Sequence, residues 1–515
     1  MSATTQEKVI SYGEATELFS KLRAAGKQIV HCHGTFDLVH PGHLIHFEEA
    51  AALGDILVVT VTAEEFVNKG PGRPYFNDTL RAKSLASLYM VDYVVVIPYA
   101  AAVEAIECVK AHVYCKGKEY EDTQNDVTGN IHDDVYTVEK YGGRMAYVGS
   151  VVFSSTKLLN QGFDTHSEEV KAFCKAFGER FDSEWLREEI DGWKNMKVLV
   201  VGDAIFDKYT TVQVQGLTSK NRIISGQYVE DDVQAGGALA VYRHVRAFTD
   251  NVKVLSLVGD DPVTEIMLGD TITPEHDWLI RDQRFTTIVK QRFVEPASRT
   301  KEISKLFSIN YIDDAPPVEE MLDEVANRLK ATLSGFDLVI VMDFGHGMLQ
   351  PRIRDILQDE APYLFVNCQT NSYNRGYNII NRQYRNMDAF SLDMPELELA
   401  IGTKAPDPQL SLRKLIEGFE SDYAFLTRGP IATLGLCNGK MSALCPAIET
   451  DVVDTIGAGD AFCSTAAFAC ARGLPIEVAT FLGQLAGAQA VKYAGNTQCI
   501  QKAKLLKAIG ALTSY

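Results

Sequence analysis

The sequence predicts an α/β protein built as two successive domains, and three observations predict it. Its 515 residues exceed what one ordinary core organises. From Lys27 onward, short β-rich runs (QIVHCHG, DILVVTVTA, VDYVVVIPY, AHVYCKG, RMAYVGS) alternate with helical stretches such as HLIHFEEAAALG, the pattern of a parallel sheet covered by helices. The alternation stops near residue 160 and restarts at KVLVVGD (197–203), continuing through KVLSLVGD, FDLVIVMD, YLFVNC and YAFLTRG to helices around 460–493. Between the two series, Val170, Phe173, Cys174, Phe177 and Phe181, then Leu186, Ile190 and Trp193, follow helical spacing. This predicts domains over 1–162 and 196–515, with a packed helical connector over 163–195.

Composition narrows the function classes. A hydrophobic fraction of 46% fits a well-buried globular protein, and the apolar runs are too short or too interrupted to cross a bilayer. The segment MSATTQEKVISYGE has neither a basic nor an apolar signal region, so a cytoplasmic location is expected. Ten scattered cysteines without a C-x-x-C pair read as reduced, buried thiols. A net charge of −18 argues against nucleic-acid and membrane partners, so any anionic ligand must be held by local basic groups and backbone amides.

The stretch HGTFDLVHPGH (33–43) sits where a buried strand feeds a helix, the place where open α/β sheets bind ligands. Pro41 suits the first helical turn, and Gly34 and Gly42 let backbone amides approach a ligand. His40 and His43, three apart on that turn, are expected to donate to an α-phosphoryl group as it becomes five-coordinate and to the departing pyrophosphate. A lone H-x-x-H would more simply be capping or packing. The surrounding residues argue otherwise. Over 28–160 the chain closely resembles the nucleotidyltransferase superfamily marked by G-T-F-D-x-x-H-x-G-H, which implies a Rossmann-like domain. Further matches follow in order: NKGPGRP with Lys69 and Arg73, NDTLRAKSL with Arg81, VYCKGKEY with Lys116, and FSSTKLL with Ser154, Ser155 and Thr156. The resemblance implies that Thr35, Phe36, Arg81, Lys116, Ser155 and Thr156 bind nucleotide and phosphate, with Lys69 joining the histidines in catalysis.

A second signal is DVVDTIGAGDAFCSTAAFA (451–469). Gly457, Ala458 and Gly459 lead into an apolar helix, so free amides share one locus with Asp460 beside it. An anion hole next to a carboxylate suits phosphoryl transfer, the carboxylate taking the hydroxyl proton. The segment resembles the ribokinase-like (PfkB) carbohydrate kinase signature D-T-x-G-A-G-D, and the likeness extends over roughly 197–500. It implies sugar-facing Asp203 and Asp207 in VLVVGDAIFDKY, the glycine pair Gly236 and Gly237, and Lys290 and Arg292 in TTIVKQRFV. Asp393 and Glu396, standing where the family has N-x-x-E, are expected to hold hydrated Mg²⁺. Departures fall at Leu239 and Ala240, where the family has asparagine, at Asn367, where it has an acid, and at His346, where D-Y-G-K-G has lysine while Asp343 is kept.

Together the halves resemble the bifunctional heptose kinase/adenylyltransferase branch, whose kinase half comes first; here the order is reversed. The resemblance implies Mg²⁺, ATP for the kinase, ATP or CTP for the transferase, sugar phosphate and nucleoside triphosphate substrates, and a homo-oligomer. The other reading is a cytidylyltransferase fused to a sensing or assembly domain.

Overall fold

The computed structural model describes residues 5–67, 74–118, 131–149, 166–221, 223–269, 272, 277–295, 303–370, 374 and 376–514. Lys69, Arg73, Ser154, Ser155 and Thr156 lie outside them. The α/β class expected from the sequence is what the structure has. Two compact units form: Met1–Arg180 with Leu506–Tyr515, and Phe181–Leu505.

In the first unit the described strands are β1 (Val9–Ile10), β2 (Ile29–Gly34), β3 (Ile56–Thr62), β4 (Tyr93–Ile97), β5 (Val113–Gly117) and β6 (Arg144–Val148). They form one parallel sheet in the order β1-β4-β3-β2-β5-β6. Alternate side chains feed two cores. Val30, Cys32, Val59 and Val61 pack against Phe47 and Leu85, while Ile29, Val58 and Val95 pack against Phe19 and Val109. Burial on both faces explains why β3 and β4 are mostly apolar rather than alternating. The chain turns one way from β2 to β3 and the other way to β5, so the carboxyl end of β2 is a topological switch point. His40 and His43 follow it.

The second unit opens with the helix Ser183–Gly192, capped by the Asp182 side chain, and a short turn that buries Trp193 in a stack 4.9 Å from Phe468. Its strands are β7 (Val198–Gly202), β8 (Ala204–Leu217), β9 (Ile224–Gly237), β10 (Val252–Gly259), β11 (Asp277–Asp282), β12 (Ile288–Glu295), β13 (Ser304–Tyr311), β14 (Leu338–Asp343), β15 (Leu364–Cys368), β16 (Ala389–Asp393), β17 (Tyr423–Thr427), β18 (Ala432–Cys437) and β19 (Met441–Pro446). A large sheet runs β11-β10-β7-β14-β15-β16-β17-β18-β19, parallel up to β17 and antiparallel over its last pairs. Gly202 lets β7 approach β14, since a Cβ there would stand 2.1 Å from the Met342 carbonyl oxygen.

A separate four-stranded sheet runs β13-β12-β8-β9. The sequence reading had not separated it from the main series. Its long hairpin β8–β9 is antiparallel, and its register sets Lys290 beside Asp207 and Arg292 beside Tyr209.

Candidate active sites

In the first unit the site is built on the turn after β2. Phe36 takes a left-handed backbone at φ 46, a conformation that costs a bulky residue about 1 kcal/mol or more and persists only where neighbours over-determine it. Those neighbours are present. Arg81, on the helix Asp78–Ala86, donates from Nη1 to the Thr35 carbonyl at 2.8 Å and the Thr62 carbonyl at 2.9 Å, and from Nε to the Phe76 carbonyl at 2.9 Å. Its Nη2 pairs with Asp78 at 2.5 Å. On the other side of Phe36, Asp37 accepts the Tyr75 and Phe76 amides, each at 2.9 Å. Gly34 leaves room for this turn, since a Cβ would stand 3.0 Å from the Phe36 ring and press on it.

The helix Pro41–Ala51 follows, with Pro41 in its first turn and His40 at its N-cap in an extended conformation, its side chain making no cap. The His40 and His43 rings stack at 3.9 Å and 18°, and Phe36 meets His43 edge-on at 5.2 Å. The spacing of three thus brings both imidazoles to the helix entry as one unit. Lys116, at the end of β5, pairs with the buried Asp134 at 2.8 Å.

Two further histidines escaped the sequence reading. His31 and His33, alternate residues of β2, both contact the Thr60 hydroxyl, at 2.7 and 2.8 Å. Burial first, then Lys116, pushes His33 down to about 3, so it stays a neutral imidazole. Burial lowers His31 too, well below the ordinary imidazole value.

In the second unit, residues far apart in sequence converge. Lys290 is held below its ordinary value by burial, opposed by the charges of Asp207, Asp203 and Asp460. Arg292 forms an ion pair with Asp207. Asp203 accepts the Phe344 amide at 3.0 Å and the His346 amide at 3.3 Å. Burial and then Asp343 push Asp203 up to about 7. The glycine pair is steric: a Cβ on Gly236 would stand 2.3 Å from Asp207 Oδ2, and one on Gly237, at φ 55, would stand 2.5 Å from the Asp203 carbonyl oxygen. Leu239 and Ala240, by contrast, are core residues of the helix Ala238–Val245.

Asp460 lies in the first turn of the helix Ala458–Ala471, whose N-cap Gly457 adopts φ 83. Burial first, then Asp207, pushes it up to about 7, against Lys290 and a hydrogen bond from Gln369. Ala458 N–H lies 3.4 Å from the Thr455 carbonyl, a weak contact, and the space in front of Gly459 is open. Asp343 is engaged elsewhere, by Arg354, Tyr384 and Asn378. His346 is pushed down to about 3, by burial and then Lys290, so it does not replace a lysine's charge.

Asp393 and Glu396 form a reciprocal capping box on the helix Met394–Ile401. Glu396 also accepts the Thr370 amide at 3.2 Å, and burial raises its carboxyl, as does Asp393. Among the described residues no group of three or more His, Cys, Asp or Glu side chains is placed to hold a metal. Because their oxygens already accept amide hydrogens, a cation held by this pair would be a hydrated one, reached through water. Burial pushes up the thiol of Cys463, one turn beyond Asp460, and the charges of Asp460 and Glu396 add to it.

Residues 31–229 match the family described as cytidylyltransferase-like, and residues 386–503 match the pfkB family carbohydrate kinases. The chain joins a cytidylyltransferase-like domain to a pfkB-type kinase domain. The Bifunctional protein HldE of Aliarcobacter butzleri is 37% identical over 145 residues, 28% of this chain and 30% of that protein. That of Pelobacter propionicus is 38% identical over 136 residues, 26% of each. These relatives match the part holding the cytidylyltransferase-like domain, and the order of the two domains is reversed relative to theirs. The chain thus spans 30% and 26% of the length of these curated relatives. Among solved structures, phosphofructokinase-2 from Escherichia coli in complex with potassium matches with a TM-score of 0.49 and 14% identity, covering 62% of this chain and 99% of that one. Arabidopsis thaliana ribokinase complexed with ribose and ATP matches with a TM-score of 0.47 and 16% identity, covering 62% of this chain and 99% of that one. No helix of the described residues is long and apolar enough to cross a membrane.

Proposed function

We propose that the chain is a bifunctional enzyme that makes a nucleotide-activated sugar, one unit phosphorylating a sugar and the other joining a sugar 1-phosphate to a nucleotide with release of pyrophosphate. The observation that carries this reading is the sheet register that sets Lys290 beside Asp207, itself ion-paired with Arg292, in the unit that carries the kinase signature.

In the kinase domain, Asp207 and Asp203 orient the acceptor sugar while Arg292 and Lys290 balance their charge. Asp460 takes the proton from the attacking hydroxyl as that oxygen bonds to the γ-phosphorus of ATP, and the bond to the β-γ bridging oxygen breaks. The Ala458 and Gly459 amides stabilise charge on the transferred group. In the transferase domain, His40 and His43 donate to the α-phosphoryl oxygens and to the leaving pyrophosphate, with Lys69, Lys116, Ser155 and Thr156 on the phosphates. Arg81 serves the same site by fixing the turn that carries Thr35 and Phe36. Bound Mg²⁺ would supply charge neutralisation of the triphosphate, with Asp393 and Glu396 holding its water shell.

The likeness of the transferase part to the HldE relatives favours ADP-heptose as the product. A CDP-activated alcohol or sugar is the second reading, favoured by the cytidylyltransferase-like description of residues 31–229; a kinase domain with another substrate or a sensing role would accompany it. A cytoplasmic homo-oligomer is part of the proposal and is tested by light scattering. The deciding experiment incubates the pure protein with Mg²⁺, ATP or CTP, and a panel of sugar 1-phosphates, measuring pyrophosphate release. Release with ATP and a heptose 1-phosphate is expected. Release with CTP alone would overturn the first product in favour of the second.

A further inference from the structure

The anion turn before the helix Ala458–Ala471 rests on a buried carboxylate that the proposed chemistry does not use. Asp454 is fully buried, and both of its oxygens are engaged. Oδ1 accepts from Lys305 Nζ at 2.6 Å and the Ile456 amide at 3.1 Å; Oδ2 accepts from the Tyr209 hydroxyl at 2.9 Å and the Gly495 amide at 3.0 Å. Tyr209 lies on β8 and Lys305 on β13, so the four-stranded sheet supplies both side-chain donors. A third strand of that sheet adds another tie, since Gln234 of β9 accepts the Asn496 amide at 2.6 Å, and Asn496 Oδ1 lies where a Cβ on Gly457 would stand 2.1 Å away. The backbone joins as well, with Ile303 N–H on the Val453 carbonyl at 3.3 Å.

Burial alone would raise the Asp454 carboxyl, yet Lys305, the Ile456 amide and Tyr209 hold it below the ordinary value, so it is ionised. A buried carboxylate that loses its cation leaves an uncompensated charge, and the structure around it must loosen or take up a proton. Arg292 does not substitute, being paired with Asp207. Lys305 is 40% exposed along its side chain and reaches Asp454 from a strand whose other residues are mostly exposed. The ion pair therefore forms only while β13 is seated over the turn.

We propose that Lys305 is a positioning residue for phosphoryl transfer: its ammonium group completes the 454–457 turn, so that the amides beyond Gly457 are aimed only when the four-stranded sheet is seated. This rests on the kinase reading above. Its consequence is that sugar binding, through Asp207 on β8, and phosphate binding, through the turn, depend on the same four-stranded sheet.

The test uses the full chain with Lys305→Met, Lys305→Arg and Lys305→Ala, the last with and without ethylammonium. Kinase kcat is expected to fall about a hundredfold in Lys305→Met with the KM for the acceptor within about threefold, the signature of an interaction expressed at the transition state. Lys305→Arg should keep most of the rate, and ethylammonium should recover about tenfold in Lys305→Ala. Hydrogen exchange on the free protein provides a readout independent of turnover: the amides of 454–460 and Gly495 should exchange faster in Lys305→Met, and ethylammonium should slow them in Lys305→Ala. A Lys305→Met enzyme within about twofold of the parent kcat, or unchanged exchange at 454–460, overturns the proposal. Should the parent chain show no kinase turnover, the kinase reading fails, and exchange alone then decides whether Lys305 orders the turn.

Discussion

Arg81 and Thr35 are joined by a 2.8 Å hydrogen bond from a guanidinium with no exposed side-chain surface to the carbonyl of the turn that carries Phe36. A contact of this kind fixes backbone rather than ligand. Replacing Arg81 by Met would strip donors from the Thr35, Thr62 and Phe76 carbonyls and remove the cation from Asp78, at an expected cost of about 3 kcal/mol to the first unit. Urea unfolding of Arg81→Met should show that loss, with nucleotidyl transfer reduced and sugar phosphorylation kept. Unchanged stability with lost transfer would instead return Arg81 to the phosphates.

That example shows where the sequence is legible and where it stops. Alternating β-rich and helical runs announced both sheets, because buried parallel strands are mostly apolar on both faces, as 56–59 and 338–342 are. H-x-x-H and G-A-G-D were readable because each concentrates its chemistry within one turn of helix. Arg81 looked like a phosphate ligand because type and spacing do not reveal that its donors end on carbonyls up to 46 residues away. Asp454 was quoted only as a motif letter. Its partners Tyr209 and Lys305 lie 245 and 149 residues from it, and no local pattern encodes such a pairing. The four-stranded sheet was missed for a related reason, since β8 starts two residues after β7 ends and reads as its continuation.

The stacked pair His40 and His43 leads to a sharper separation of the two activities. His43→Ala removes one ring of the 3.9 Å stack and a donor at the helix entry, without touching the Arg81 or Asp37 contacts that hold the turn. Nucleotidyl transfer should fall by about a hundredfold or more, the scale seen when a transition-state donor is removed. Kinase turnover should be unaffected. Parallel assays of pyrophosphate and ADP release check this; a joint fall in a folded variant would mean that the two sites are not independent.

Gly459 separates ligand binding from folding. A Cβ there meets nothing within 4 Å, so no packing demands glycine. Alanine inside a helix is usually favoured over glycine by about 0.5–1 kcal/mol, so Gly459→Ala should be as stable as the parent or slightly more so. If the open space is where a phosphate approaches the amides, the same variant should raise the KM for ATP and lower kinase kcat. Equal kinetics would remove Gly459 from the anion hole.

Asp460 sets the pH dependence, and the sign follows from its carboxyl being pushed up to about 7 from an ordinary 3.8. As a base it works only when ionised, so kinase kcat/KM should rise with pH through a limb centred near 7. Stability should move the opposite way. Between pH 3.8 and 7 the folded chain holds a proton on Asp460 that the unfolded chain has released, and Asp203, also raised to about 7, does the same. Unfolding there releases protons, so stability is greatest at the acid end of this window, is lost as pH climbs to 7, and levels off above it. Asp460→Asn mimics the protonated acid and removes this residue's share of the loss. The variant should therefore exceed the parent in urea midpoint by a smaller margin at pH 5 and a larger one at pH 8, while lacking kinase turnover. A midpoint difference that is the same at both pH values would mean that Asp460 is already ionised at pH 5, and that the base of this site is not held near neutrality by its burial.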